Sequence, residues 1–116
     1  MQREESHTDL GVIKIHDNVI ASIASIAAKE IEGIKGVGKS KTGILQLIHK
    51  DTVSSIKIKK DKNGEIVVQV PIVIKYGFNI PDTANRVQEN VRNSLEKMTN
   101  LSIREINIDV QGIERG

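Results

Sequence analysis

The residues with the clearest potential for chemistry lie at positions 33–40, where Gly-Ile-Lys-Gly-Val-Gly-Lys-Ser fits the phosphate-loop pattern G-x-x-x-x-G-K-[ST]. In nucleotide hydrolases this loop leaves a buried strand and opens a helix, whose first amides bind the phosphates. Here the pattern follows a predicted helix, and only a short apolar stretch comes after it. Asp109, the best-placed candidate to hold magnesium, points outward from its predicted strand. The pattern therefore predicts a flexible glycine-lysine loop without a bound nucleotide.

Residues 33–36 also match G-x-x-G, the element with which KH domains clamp a nucleic-acid backbone. The neighbouring lysines suit phosphate groups. A KH loop joins two consecutive helices, however, and the predicted sheet lacks the exposed aromatic side chains on which single-stranded bases stack. A small KH-like RNA-binding module that uses the basic loop at residues 33–41 is therefore the alternative function, and nucleic acid is the less favoured partner.

Other catalytic and metal-binding patterns are missing from the sequence. The chain has no cysteine, which excludes disulfides and thiolate chemistry. Its three histidines, His7, His16 and His49, share no spacing that would place them on one helical face. No Gly-x-Ser-x-Gly nucleophile elbow occurs. The sequence thus predicts a protein that is not an enzyme and has no catalytic residue, metal or cofactor.

Positive charge is concentrated in the middle of the chain, although the net charge is only +2. Residues 35–62 contain eight lysines and two aspartates. Such a cluster attracts anionic partners, including lipid head groups. The candidate basic patch consists of Lys35, Lys39, Lys41, Lys57 and Lys59.

Hydrophobic periodicity predicts the elements that must position these residues. Strands are predicted at 11–15, 53–60, 65–75 and 103–111, and helices follow Asp17 and Pro81 and end at Gly33 and Asn100. Asn63-Gly64 predicts a tight hairpin turn. The order predicts an α/β (α+β) fold, β-α-β-β-α-β, with two helices packed on one face of a four-stranded sheet. Residues 1–10 are expected to form a flexible tail, and 11–113 a single domain.

The strand at 65–75 has the clearest alternation, because five aliphatic residues share one of its faces. Val67 and Val73 lie on the opposite face, which makes that face more apolar than a solvent-exposed surface needs to be. Pro71 cannot donate a backbone hydrogen bond, so it predicts an edge position or a bulge. With the chain's two aromatic residues added, the candidate partner-contact residues are Val67, Val73, Tyr76 and Phe78.

Composition and segment lengths indicate where in the cell the protein is located. The N-terminal segment is polar and lacks the apolar stretch of a secretory signal. The apolar run at 66–74 is interrupted and is far shorter than the roughly 20 residues of a membrane-spanning helix. Aromatic residues make up only 2% of the chain, so the core is expected to be aliphatic. We expect a cytoplasmic protein, peripheral to the inner face of the cell membrane.

Several segments together resemble a known family. Residues 11–15, 73–81, 87–91, 98–101 and 106–112 are similar to the alkaline shock protein family, the Gls-type general-stress and envelope-stress proteins of Gram-positive bacteria. The Tyr-Gly-x-x-Ile-Pro and Val-Gln-x-x-Val segments are the most specific parts. Asn100 stands where the family usually has glycine, and Asn is the next best residue for a left-handed helix end.

The resemblance implies a non-catalytic protein that supports cell-envelope homeostasis under stress. It also implies protein partners, among them a small membrane-anchored protein, and self-association. No catalytic or cofactor-binding residue comes with the family. From the residues themselves we expect that a strand edge, or the face with Val67 and Val73, docks the partner, and that the lysines add weak contact with an anionic membrane surface.

Overall fold

The computed structural model describes residues 5–8, 11–14, 16–38 and 55–115. In these ranges the elements are β1 (Glu5–Thr8), β2 (Gly11–Lys14), α1 (Asp17–Lys29), β3 (Ile34–Val37), β4 (Lys57–Lys60), β5 (Ile66–Lys75), α2 (Ile80–Thr99) and β6 (Ile103–Glu114). Strands β3 to β6 form a four-stranded sheet, and β1 pairs with β2 in a separate antiparallel sheet. Lys39, Ser40 and Lys41 of the predicted basic loop lie outside the described residues.

Strand β5 is the centre of the four-stranded sheet. On one side β6 runs parallel to it along its whole length. On the other side β3 pairs with the second half of β5 and β4 with the first half, both antiparallel to it. Strands β3 and β4 therefore follow each other along one edge of β5, like a single edge strand with an interruption.

The interruption lies beside Pro71. The Gly38 N–H donates to the Pro71 carbonyl at 2.9 Å. In an antiparallel ladder such a pair normally exchanges two hydrogen bonds, but proline has no N–H to donate in return. Among the described residues, contact with this edge of β5 ends at Gly38, beside Pro71, and the antiparallel pairing resumes at Lys57, opposite Gln69. Of the two alternatives for Pro71, an edge strand is wrong because β5 is central, whereas the β5–β6 register has an irregularity close by, between Ile72 and Val73. The missing donor of Pro71 falls between the described ends of β3 and β4.

The core lies between the sheet and the two helices, and it is aliphatic, as composition predicts. Alternate residues of β5 are fully buried, and they pack against α1, α2 and β6. The buried residues of β5 on this face are Ile66, Val68, Val70, Ile72 and Ile74. Full burial of each such side chain contributes roughly 1.5–3 kcal/mol relative to exposure. Both helices pack on the face of the sheet that the alternation along β5 buries. The predicted fold class is therefore confirmed.

Helix α2 begins and ends as its sequence predicts. The Asn79 side-chain oxygen accepts a hydrogen bond from the Asp82 N–H at 2.9 Å, and Pro81 occupies the first turn. Asn100 has φ 62°, the left-handed conformation of a helix end. Helix α1 differs at its start, because His16 is the N-cap residue and makes no side-chain capping bond. Asp17, predicted to precede this helix, is instead its first residue.

Other local predictions also differ from the structure. Residues 5–8, expected to belong to a flexible tail, form β1, and its partner β2 is not part of the four-stranded sheet. The fourth strand of that sheet is β3, which falls within the predicted glycine-lysine loop. Helix α1 ends at Lys29, with Glu30 as its C-cap, so the predicted helix end at Gly33 is wrong; Gly33, with φ 99°, lies in the turn that leads directly into β3.

Candidate functional site

The outer face of the sheet, defined as the face opposite α1 and α2, carries charges of opposite sign on its two sides. Cross-strand partners share a face, so each ladder row can be assigned from the register. In one row Lys59 of β4 neighbours Val67 of β5, and Val67 neighbours Glu105 of β6. Lys57 lies on the β4 side of this face and Asp109 on the β6 side. The outer face is therefore basic along β4 and acidic along β6.

The two predicted contact valines occupy different environments on this face. Val67 is half-buried, between the lysine and the glutamate of its row. Val73 neighbours Gly36 and Gly112 and is only 3% exposed. An exposed valine was expected at position 73, and the structure corrects this. Val67 stays a predicted contact residue on the outer face.

The candidate basic patch is divided by the fold. Lys57 and Lys59 are exposed and project from the same face of β4. Lys35 is exposed on β3, at a register irregularity between Ile34 and Gly36. No other described residue forms an ion pair with Lys57 or Lys59. Of the predicted patch, the structure brings together this pair of lysines.

The predicted aromatic contacts lie at the end of the sheet where β5 and β6 terminate. Tyr76 is 68% exposed and Phe78 is 36% exposed. Ile113 of β6, which sequence reasoning did not select, is 48% exposed and pairs in register with Ile74. The Arg115 guanidinium lies 5.2 Å from the centre of the Tyr76 ring, a cation–π distance. We call Tyr76, Phe78 and Ile113 the aromatic end.

Backbone contacts hold the aromatic end in place. The Tyr76 N–H donates to the Glu114 carbonyl at 2.7 Å, and the Lys75 N–H donates to the Gly33 carbonyl at 2.8 Å. The Phe78 ring lies directly against Gly33, where a Cβ atom would come within 2.7 Å of the ring. The two aromatic side chains therefore project from a turn that is tied to both β6 and the α1–β3 connection.

The free edge of β6 is partly covered by side chains from α2. The Gln88 amide donates to the Ile106 carbonyl at 2.8 Å, and Arg92 donates to the carbonyls of Ile103 and Arg104. Beside this edge a shallow groove is lined by Ala84, Asn85, Gln88, Asn107 and Ile108. The groove residues are amides and aliphatic side chains, which have no titratable group for acid–base chemistry.

A second polar cluster closes the β4–β5 hairpin around Asp61. One carboxylate oxygen of Asp61 accepts hydrogen bonds from the Asn63 and Glu65 amides at 2.8 and 2.9 Å, and the other contacts Arg104 at 3.0 Å. Partial desolvation acts to raise the pKa of Asp61, but the Glu65 and Asn63 amides and Arg104 together hold it below its usual value. This cluster joins the hairpin to β6 and is structural.

The phosphate-loop and KH-like interpretations do not fit the fold. Both patterns begin at Gly33, but residues 34–37 form β3, which pairs with β5. A phosphate loop needs a strand followed by a helix, and a KH clamp needs a loop between two helices. Here the order is helix, turn and strand. In the described part of the chain, no group of three or more His, Cys, Asp or Glu residues could hold a metal ion.

Within residues 16–38 and 55–115, neither helix combines the length and the apolar character that a bilayer crossing requires.

Comparison with known proteins decides the family. The model of the alkaline shock protein 23 family, which is described by a cell envelope-related function, matches residues 5–115. The chain belongs to this family. This family match confirms the resemblance that the sequence showed, and it places the chain among proteins with an envelope-related function. The match spans β1 to β6, so the small β1–β2 sheet lies inside the family region.

Relatives of known organism agree with this membership. The chain is 39% identical to the YqhY protein of Bacillus subtilis, over 98% of this chain and 84% of YqhY. It is 30% identical to the YloU protein of the same organism, over 94% of this chain and 93% of YloU. A stress response regulator gls24 homolog of Streptococcus pyogenes is 24% identical, over 90% of this chain and 59% of that protein. Of these relatives, the Streptococcus pyogenes protein is the one named for a stress response.

Solved structures share the fold alone. A MamM CTD structure matches with a TM-score of 0.51 at 14% identity, covering 84% of this chain and 98% of that chain. At this identity the likeness extends to the arrangement of helices and strands and not to side-chain chemistry.

Proposed function

We propose that this chain is a non-catalytic interaction protein that supports the envelope stress response from the cytoplasm, held near the membrane by a small membrane-anchored protein. The family match supports the envelope-related role. The observation that carries the interaction role is the aromatic end, where both aromatic residues of the chain lie outside an aliphatic core. An aromatic ring that does not serve the core is a typical anchor for a protein partner.

The aromatic end has the character of a docking site that is formed before binding. Its turn is fixed by backbone hydrogen bonds to Gly33 and Glu114 and by the contact of Phe78 with Gly33. A side chain that is already ordered loses little conformational entropy on binding. Tyr76 offers a large apolar surface with a polar hydroxyl, which is the pattern enriched in interface cores.

The chemistry of the site indicates the character of the partner. Tyr76 and Ile113 provide apolar surface, and Arg115 over the Tyr76 ring provides a positive charge beside it. A cytoplasmic segment that combines apolar side chains with a carboxylate would be complementary to both. The RNA-binding alternative has no supporting observation in the fold, because its G-x-x-G element enters β3.

The experiment measures binding of the purified chain to inverted membrane vesicles from its native cell, whose cytoplasmic side faces outward. We expect binding that is lost after protease treatment of the vesicles and is absent with protein-free vesicles. Tyr76→Ala combined with Ile113→Ala should weaken binding by roughly tenfold or more, because truncated anchor residues dominate interface energy.

The matched control is Met98→Ala, since Met98 is 67% exposed near the far end of α2, away from the aromatic end. It should bind like the wild type. Equal binding by the Tyr76 and Ile113 variant would refute the assignment of the site. Equal binding to protease-treated vesicles would refute an anchored protein partner and would favour direct contact with lipid.

A further inference from the structure

Strand β6 provides the longest edge of the four-stranded sheet in the described part of the chain. It has 12 residues, whereas the opposite edge is divided between β3 and β4, which have 4 residues each. The side chains of Gln88 and Arg92 bond to carbonyls at positions 103–106, the first part of the β6 edge. No hydrogen bond from another described side chain reaches the backbone at 107–110, so this part of the edge is open among the described residues.

The register identifies which backbone groups face outward at the open edge. The Pro71 carbonyl accepts from Gly38, so the backbone of Pro71 points toward β3 and away from β6. In a parallel ladder only one member of each register pair bonds across to the other strand, so Asp109, the partner of Pro71, points toward β5. Successive residues of a strand point to opposite sides. The N–H and C=O groups of Ile108 and Val110, on either side of Asp109, therefore face away from the sheet.

The two faces beside the open edge differ in chemistry. On the helix side, Ile108 and Val110 are half-buried against the core, and the shallow groove between Ala84 of α2 and Ile108 lies next to them. On the outer side, Glu105 and Asp109 are exposed, and no other described residue forms an ion pair with either of them. A strand added beside β6 would therefore meet apolar surface on one of its faces and two carboxylates on the other.

We propose that this edge binds an extended segment of another protein, which adds a strand to β6 and alternates apolar with basic side chains. The main chain of the segment bonds to Ile108 and Val110, and its apolar side chains cover these two residues and the groove. Its basic side chains lie beside Glu105 and Asp109, as opposite charges do across neighbouring strands. A second copy that paired its own β6 with this edge would instead place carboxylates beside carboxylates. The proposal is separate from the anchored partner, whose site is the aromatic end.

The test measures binding of short fluorescent peptides to the purified chain by fluorescence anisotropy. A peptide that alternates valine with lysine should bind, and the same peptide with glutamate in place of lysine should bind at least roughly tenfold more weakly. Two further peptides carry backbone N-methyl groups, one on its valines and the other on its lysines. Because successive N–H groups of a strand point to opposite sides, methylation blocks pairing with β6 in only one of them. One methylated peptide should therefore lose binding, and the other should retain it.

Variants of the chain locate the peptide. Val110→Pro removes an outward N–H without removing a bond to β5, and it should weaken binding by roughly tenfold. Glu105→Lys with Asp109→Lys keeps every backbone group and should weaken binding by a similar factor, roughly tenfold. The control, Asp17→Lys with Glu32→Lys, changes the net charge equally at the start of α1 and just beyond its end, and it should bind like the wild type. Circular dichroism verifies that every variant is folded.

Four results would overturn the proposal. The first is no binding of the valine–lysine peptide up to roughly 1 mM. The second is equal binding of the two methylated peptides, which would indicate attraction by charge alone. The third is undiminished binding to the charge-reversed chain. The fourth is self-association of the wild type that Val110→Pro abolishes in sedimentation, because a second copy would then occupy the edge. Tyr76→Ala should leave peptide binding unchanged, so failure at the aromatic end and failure at this edge are distinguishable.

Discussion

The contact between Gly33 and Phe78 yields a prediction whose magnitude follows from the structure. Gly33 has φ 99°, which L side chains rarely adopt, and a Cβ at this position would lie 2.7 and 2.9 Å from two atoms of the Phe78 ring. Ordinary contact begins at 3.4 Å, so the ring would have to retreat by roughly 0.7 Å. The backbone conformation alone costs about 1–3 kcal/mol for a residue with a side chain.

Gly33→Ala should therefore lower the free energy of unfolding by about 2–4 kcal/mol, the sum of backbone strain and a displaced ring. Two glycines serve as matched controls. Gly77 has φ 98° with no atom within 4 Å of an added Cβ, so Gly77→Ala isolates the backbone term. At Gly36 neither cost applies, so Gly36→Ala should be neutral or stabilise by up to about 1 kcal/mol.

Urea denaturation followed by circular dichroism measures these differences for the three variants and the wild type. A fourth chain, Gly33→Ala with Phe78→Ala, tests the contact itself. If the ring is what the added methyl group meets, the double change should cost less than the sum of the single changes. Strict additivity, or equal losses for Gly33→Ala and Gly77→Ala, would refute the contact as a source of the destabilisation.

The remaining predictions concern two side chains that organise turns. Asn79→Ala should lower the free energy of unfolding by about 1 kcal/mol in urea denaturation, because it removes the acceptor for the Asp82 amide. Asn79→Ser should retain most of this stability, because serine is also a good N-cap residue. Asp61→Asn should destabilise the chain at neutral pH. Because folding lowers the pKa of Asp61, the wild-type advantage is fully present above about pH 3.9, the unfolded value, and declines as the pH falls through the folded pKa. A wild-type advantage that does not change between neutral and strongly acidic pH would contradict the role of the carboxylate.

The parts of the fold that the sequence predicts are those that local chemistry determines. The strict alternation along β5 identifies the core face, and Asn63-Gly64 identifies the hairpin turn, where Gly64 has φ 82°. Pro81 and Asn100 bound α2 correctly. In each case the interacting groups are a few residues apart, so their spacing in the sequence is sufficient.

The parts that sequence reasoning missed depend on pairing between distant segments. Strand β3 has only four residues, one of which is glycine, and it is a strand because it pairs with the second half of β5. Pro71 indicates an edge when β5 is considered alone, whereas the structure places an interrupted neighbour beside it.

The candidate site likewise combines features that local sequence predicts with features that depend on the pairing of distant segments. The alternation of β4 and β6 predicts which of their charges point away from the core. That Lys59 and Glu105 lie on either side of Val67 requires the strand order, which no local pattern contains. Ile113 could have been selected from the sequence only by extending the last strand beyond Gln111, because the alternation weakens at Gly112.

The interruption beside Pro71 also fixes how far apart the two ends of the connecting chain lie. Gly38 and Lys57 are anchored opposite Pro71 and Gln69, two residues apart on β5 and thus about 7 Å apart along it. For a flexible loop whose two ends are fixed at such a short distance, each doubling of the loop length costs only about 0.6 kcal/mol in closure entropy. Backbone pairing with β5 thus brings Gly38 and Lys57, 19 positions apart in the sequence, to neighbouring rungs of one sheet edge.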